Sequence, residues 1–141
     1  MLPDKISKFI SSRHLLGFCC VDDDGLPYAA SCFYAFCPEH SMLYIASDEN
    51  STHIKQALNQ GIVAGTIALD TLVVGRIQGV QFRAHIRRAS SDECYFKRFA
   101  YARAMSPMLW QLELFWVKFT SNTLGFGKKI IWQHNEAIKY I

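Results

Sequence analysis

Residues 73–89 read VVGRIQGVQFRAHIRRA, and from Val80 onward the order alternates strictly. Val80, Phe82, Ala84 and Ile86 fall on one face of a strand, and Gln81, Arg83, His85 and Arg87 on the other. This is the two-residue period of a half-buried strand. Before Gly79 the order blurs, because Val73 and Ile77 share the parity of the polar set and Val74 that of the apolar set. A glycine at the slip suggests a bulge or sharp bend, since it tolerates backbone angles closed to other residues and leaves room for another chain or a ligand. The stretch reads as one long, bent strand serving two parts of a barrel. Two strands joined at Gly75 or Gly79 fit the same letters.

Of the 141 residues, half are hydrophobic and 13% aromatic, against 19% charged. Such a chain folds, and its apolar excess suffices for a core and for part of an interface with a second subunit. Fifteen Lys and Arg against twelve Asp and Glu leave a net charge of +3, too mild to argue for nucleic acid. The basic residues cluster at 83–88, 97–103 and 128–129, where a solvated face and an anion site are both open readings. Five cysteines without a C-x-x-C pair support neither a disulfide framework nor a zinc knuckle. Cys37 and His40 have ligand-like spacing but no second pair, so no metal site is expected. Reduced, mostly buried thiols in the cytoplasm account for the count. The apolar positions Leu2, Ile6, Phe9 and Ile10 are interrupted by Asp4, Lys5 and Lys8, unlike a signal peptide, and the apolar run 15–21 is far too short to span a membrane.

The rest of the chain follows as short elements. Pro3 opens a helix whose stripe is Ile6, Phe9 and Ile10. Residues 15–21 and 27–36 form a hairpin turning at Asp22-Asp23-Asp24-Gly25, and 42–46 a third strand. Small side chains at Ala29, Ala30 and Ser31 serve either tight sheet packing or close approach of something flat. Asn50 or Ser51 caps a helix that buries Ile54, Ala57 and Leu58 and stops at Gly61. Its start gathers free N–H groups and the hydroxyls of Ser51 and Thr52 at the positive end of a helix dipole, a place for a phosphate, although ordinary capping explains the same residues. A strand at 62–69 precedes the opening stretch. Ser90 and Glu93 fit a capping box for a helix to about Met105, and 109–120 alternates with both faces partly apolar, as in a sheet covered on both sides. Consecutive hairpins with short helices in the connections fit a small antiparallel barrel better than a βαβ fold. No linker or repeat divides 1–141, so a single domain is expected.

The tail 118–132, KFTSNTLGFGKKIIW, together with GRIQGVQFRAHIRR and the AxxFYAF strand before it, resembles the YhbP-like branch of the pyridoxamine 5′-phosphate oxidase-like split-barrel superfamily. The resemblance covers nearly the whole chain. It implies a mainly β (α+β) fold, a split β-barrel of about six antiparallel strands, and a homodimer with flavin mononucleotide (FMN) sites at the subunit interface. In the superfamily the flavin phosphate is held by hydroxyls and basic residues at the end of the third strand and the start of the next helix. Here that region carries Ser47, Ser51, Thr52 and His53. The oxidases' Ser-Arg-Lys run is replaced by Ser51-Thr52-His53, and the Arg and Lys of their second strand fall near Ser31 and Phe36. Asp48 and Glu49 oppose a phosphate dianion, so charge would come from Arg76, Arg83, Lys128 or Lys129. Gln78 is placed toward the cleft, and Gly125 and Gly127 fold Asn122 and Thr123 beside it.

No acid–base pair, activated nucleophile, phosphate-cradling glycine loop or zinc constellation is evident. The resemblance therefore implies a flavin-dependent oxidoreductase passing electrons between a nicotinamide cofactor and an unknown small molecule, its chemistry carried by FMN. The competing reading is a non-catalytic split barrel that binds another ligand, such as haem held by a Cys or His.

Overall fold

The computed structural model describes residues 1–125 and 128–134. Among the described residues seven strands form one antiparallel sheet: β1 Leu15–Val21, β2 Pro27–Cys37, β3 Met42–Ala46, β4 Ile62–Ala68, β5 Gln78–Arg88, β6 Leu109–Ser121 and β7 Lys128–Gln133. Their order is β3-β2-β1-β4-β5-β6-β7, and β3 also pairs with β6. That last pairing closes six strands into a barrel and leaves β7 as a flap on the far half of β6. The barrel splits because β6 is long: Leu109–Glu113 pairs with β3, whereas Trp116–Ser121 pairs with β7.

Alternation in β5 is as the sequence predicts, with Val80, Phe82, Ala84 and Ile86 buried. The stretch before it is different. Residues 74–76 form a 3-10 turn, and Gly79 is an ordinary strand residue opposite Thr120 and Ala68. The pattern slips there because 73–77 lie outside the sheet, not because the strand bends. The irregularity belongs to the partner strand: Arg83 pairs with Trp116 but Ala84 with Leu114, so Phe115 is an extra residue in β6. Parity reverses across this bulge. Trp110, Leu112 and Leu114 enter the core before it, Val117 and Phe119 after it, which explains why both alternating sets of this strand look apolar.

Helix α1, Asp4–Ser12, buries Ile6, Phe9 and Ile10 at the Gln78 end of β5, with Phe9 and Phe119 5.3 Å apart. Helix α2, Thr52–Gln60, lies toward the other end, where Ile86 N–H donates to the Gly61 carbonyl at 3.1 Å. It buries Ile54 and Ala57, while Leu58 stays 43% exposed. Helix α3, Glu93–Arg98, is shorter than the sequence suggests and passes into a 3-10 turn at Ala100–Met105. Tyr95, Phe96 and Phe99 of this segment pack with Ala35, Tyr44 and Leu109 on the outside of the barrel. Its capping box does not form, because the Ser90 N–H and hydroxyl both donate to Gln111 Oε1, at 3.1 and 3.2 Å. Among the described residues no helix is long and apolar enough to cross a membrane.

Candidate functional site

At the start of α2, Ser47 stands just past β3, its backbone N–H bonded to the Met108 carbonyl at 3.1 Å. Its hydroxyl lies 3.0 Å from His53 Nε2 and 3.3 Å from the Ser51 hydroxyl. Of the four residues expected around a phosphate, Ser47 thus touches both Ser51 and His53, and Thr52, next to them in the chain, is exposed. Ser51 is the N-cap residue but makes no side-chain cap, since its hydroxyl donates to the Asp48 carbonyl at 2.7 Å. Asp48 Oδ1 accepts the Asn50 N–H at 2.8 Å. The first-turn N–H groups are therefore left without a side-chain acceptor. Beside the loop that leads into the helix, Ser47, Asp48, Glu49 and Asn50 line a cavity of about 560 Å³ together with Ser106, Pro107 and Met108.

His53 is half-buried, its ring edge against Phe18 at 5.3 Å. Burial pushes its pKa below the ordinary histidine value, so the imidazole sits beside Ser47 in its neutral form at pH 7. Among the described residues no carboxylate pairs with it, so the contact lacks the third group that orients a catalytic dyad. Two residues of this site are not evident from the sequence. Trp110 Nε1–H donates to the Ser47 carbonyl at 2.9 Å, and Arg88 lies over the Trp110 ring at 5.6 Å. Arg88 brings a positive charge to this end of the barrel. Neither residue is near Ser47 in the chain, and no local spacing could have marked them.

The remaining candidates gather elsewhere. Arg76 is exposed in the turn before β5, Gln78 begins β5 opposite Ser121, and Lys128 begins β7 opposite the same Ser121. The Asn122 N–H and side-chain amide donate to the Ile77 and Val74 carbonyls, both at 2.9 Å, tying the 73–77 loop to the end of β6. Thr123 and Ser121 share a hydroxyl contact of 2.7 Å. Phe126 and Gly127 of the tail lie outside the described residues. This group and the α2 start are separated by the eleven-residue length of β5, roughly 30 Å. Ser31 belongs to neither group. It is exposed on the sheet and lines a cavity of about 680 Å³ with Arg13, His14, Thr66 and Asp70.

Ser31 also lies in a row that runs across the sheet through Gly17, Thr66, Gln81, Lys118 and Ile131. A parallel row joins Ala29, Cys19, Ala64, Arg83 and Trp116. The β1, β2 and β4 part of this face is built from small residues, with Leu15 and Phe33 46% and 55% exposed at its margin.

No family model matches the sequence. It is, however, 38% identical over 138 residues to the UPF0306 protein YhbP of Escherichia coli strain SMS-3-5, covering 94% of this chain and 93% of that protein. The chain belongs to the UPF0306 YhbP family. YhbP of E. coli strain CFT073 is 37% identical over 134 residues, covering 91% of this chain and 95% of the relative. Solved structures similar to this member of the family are split-barrel proteins. One is a pyridoxamine 5′-phosphate oxidase-related, FMN-binding protein from Nostoc punctiforme, with TM-score 0.71 and 13% identity, covering 96% of this chain and 93% of that one. Another is a heme-binding protein from Mycobacterium smegmatis, with TM-score 0.71 and 14% identity, covering 94% of this chain and 59% of that one. A third is HutZ, the heme storage protein of Vibrio cholerae, with TM-score 0.59 and 15% identity, covering 80% and 89%. At these identities the likeness is one of fold.

Proposed function

We propose that residues 1–141 form one split-barrel domain that dimerises about a two-fold axis, holds FMN between its subunits, and acts as an oxidoreductase on a small molecule in the cytoplasm. The observation that carries this reading is the division of the candidate residues between opposite ends of β5. Ser47, Ser51, Thr52 and His53 stand at one end, and Arg76, Gln78, Asn122, Thr123 and Lys128 at the other. A second copy packed on the small-residue face through Ser31, Gly17 and Thr66 brings one group opposite the other.

The α2 start fits a phosphate in its uncapped N–H groups and its hydroxyls. Asp48 and Glu49 oppose the charge, and Arg88 or the partner copy's basic residues offset them. The neutral His53 holds Ser47 in place as a donor or acceptor. A bound flavin supplies hydride and electron transfer, while the chain supplies position and electrostatics.

The test is a spectrum of the purified protein with and without added flavin, followed by titration. The expected protein is yellow or takes up FMN, binds FMN more tightly than riboflavin, and is bleached by a nicotinamide nucleotide. Ser51→Ala and Arg76→Ala should each weaken FMN more than riboflavin. A colourless protein that takes up no flavin removes the proposal.

A second reading, haem binding without flavin chemistry, is supported by His14. This exposed imidazole lines the 680 Å³ cavity and stacks on Phe33 at 5.9 Å, 19° from parallel. Haem titration that shifts the absorbance, and a His14→Ala variant that abolishes the shift, would favour it.

A further inference from the structure

A separate cavity of about 390 Å³ opens between α1 and the ends of β5 and β6. Its floor is apolar: Phe9 and Phe119, 7% and 3% exposed, meet there with ring centroids 5.3 Å apart. Its rim is cationic. Lys5 and Lys8 stand three residues apart on one side of α1, both are exposed, and among the described residues neither is paired with a carboxylate. Gln78 also lines it, half-buried, and its side-chain amide makes no hydrogen bond among the described residues. On the remaining side Ser121 and Thr123 share one hydroxyl contact of 2.7 Å. Two hydroxyls joined by one hydrogen bond use one proton between them. With the buried Ser121 donating, the proton of the exposed Thr123 is free to donate outward.

Lysine ammoniums, an uncommitted amide and a spare hydroxyl proton around an aromatic floor are complementary to a small molecule with a flat apolar body and an anionic head. We infer that this cavity is a binding site for an aromatic carboxylate, with the ring on Phe9 and Phe119 and the carboxylate between Lys5 or Lys8 and Thr123. The volume lies in the range of small-molecule pockets. The site is built within one chain. It shares Gln78 and Thr123 with the group that the proposed dimer would bring to the flavin, but its cationic rim and aromatic floor come from α1 and β6 of one chain, so its failure leaves the flavin reading standing.

The probe is 2-naphthoate, titrated calorimetrically against the full chain, with 2-naphthamide and acetate as controls for the charge and the ring. Saturable binding of one naphthoate per chain is expected, with both controls at least tenfold weaker and the naphthoate affinity falling with salt. Lys5→Gln/Lys8→Gln should weaken naphthoate at least tenfold and leave naphthamide unchanged. Equal affinity for the acid and the amide, no saturable binding up to millimolar naphthoate, or an unaffected double variant would each overturn the assignment. Should the double variant fail to fold, the contrast between acid and amide and its salt dependence in the unaltered protein still decide.

Discussion

At the scale of single residues, two positions are held by very different forces. Gly65 lies in β4 with its neighbours packed against its α-carbon: an added Cβ would come within 2.3 Å of the Phe82 ring and 2.4 Å of the Gly17 carbonyl. Phe82 is itself fully buried, so the ring has nowhere to move. Gly65→Ala is expected to destabilise by about 1–3 kcal/mol, the usual range for overpacking, read as a lower urea midpoint. An unchanged midpoint would mean that β1 and β5 separate more easily than their packing indicates. His53 is a titrating position. Burial favours its neutral form, so its folded pKa lies below the unfolded value of 6.5. Between these values the unfolded chain binds more protons, and stability rises with pH there. The contribution is complete above the unfolded value and is lost as pH falls through it toward the folded one. His53→Gln should flatten the stability difference between pH 7 and pH 5 relative to the unaltered protein. Parallel pH profiles would show that the imidazole is better solvated than its place against Phe18 implies.

Individual elements owe their positions to a few polar contacts over apolar stripes. The stripe of α1 faces the barrel end, and the buried Tyr34 hydroxyl donates to the Ile10 carbonyl at 2.6 Å, locking the last turn of α1 onto β2. Tyr34→Phe keeps the ring and loses the bond, so a loss of about 0.5–1.5 kcal/mol is expected, with faster amide exchange concentrated in α1. Uniform exchange changes would place the effect in the barrel instead. Strand β6 shows how one extra residue reorganises an element. Without the bulge at Phe115 its two halves could not both point their large side chains inward while pairing with β5 along the whole strand. The same bulge sets Phe115 beside His85, ring centroids 4.7 Å apart, on the face that carries Arg83 and Trp116.

On the scale of the whole molecule, the second copy proposed above would cover the exposed sheet face and complete the divided candidate site. Ala64 is exposed at the centre of this face, between Cys19 and Arg83. Ala64→Glu is expected to convert a dimer into a folded monomer, read by light scattering with an unchanged circular dichroism spectrum. A monomeric unaltered protein at micromolar concentration would sink the dimer. Much of this architecture is legible in the sequence. The period-two runs, the Asp22–Gly25 turn and the apolar stripe of α1 rest on interactions between residues close in the chain, and those the letters record directly. The tail adds the family. Other features are settled between residues far apart. The parity of β6 reverses only because it must pair with β5 and β3 at once. Gly79 is unremarkable because the slip before it belongs to a loop. Ser47 is held by Trp110, and strand pairing alone sets Arg88 beside that indole. The sequence alone determined β1 to β6 in outline, the barrel and the polar residues that could meet a ligand, and it left β7 within the glycine-rich tail. Only the tertiary structure decided which of them meet, because pairing between strands far apart in the chain sets Ser47 beside Trp110 and Gln78 beside Ser121, and a linear order of residues carries no record of those pairings.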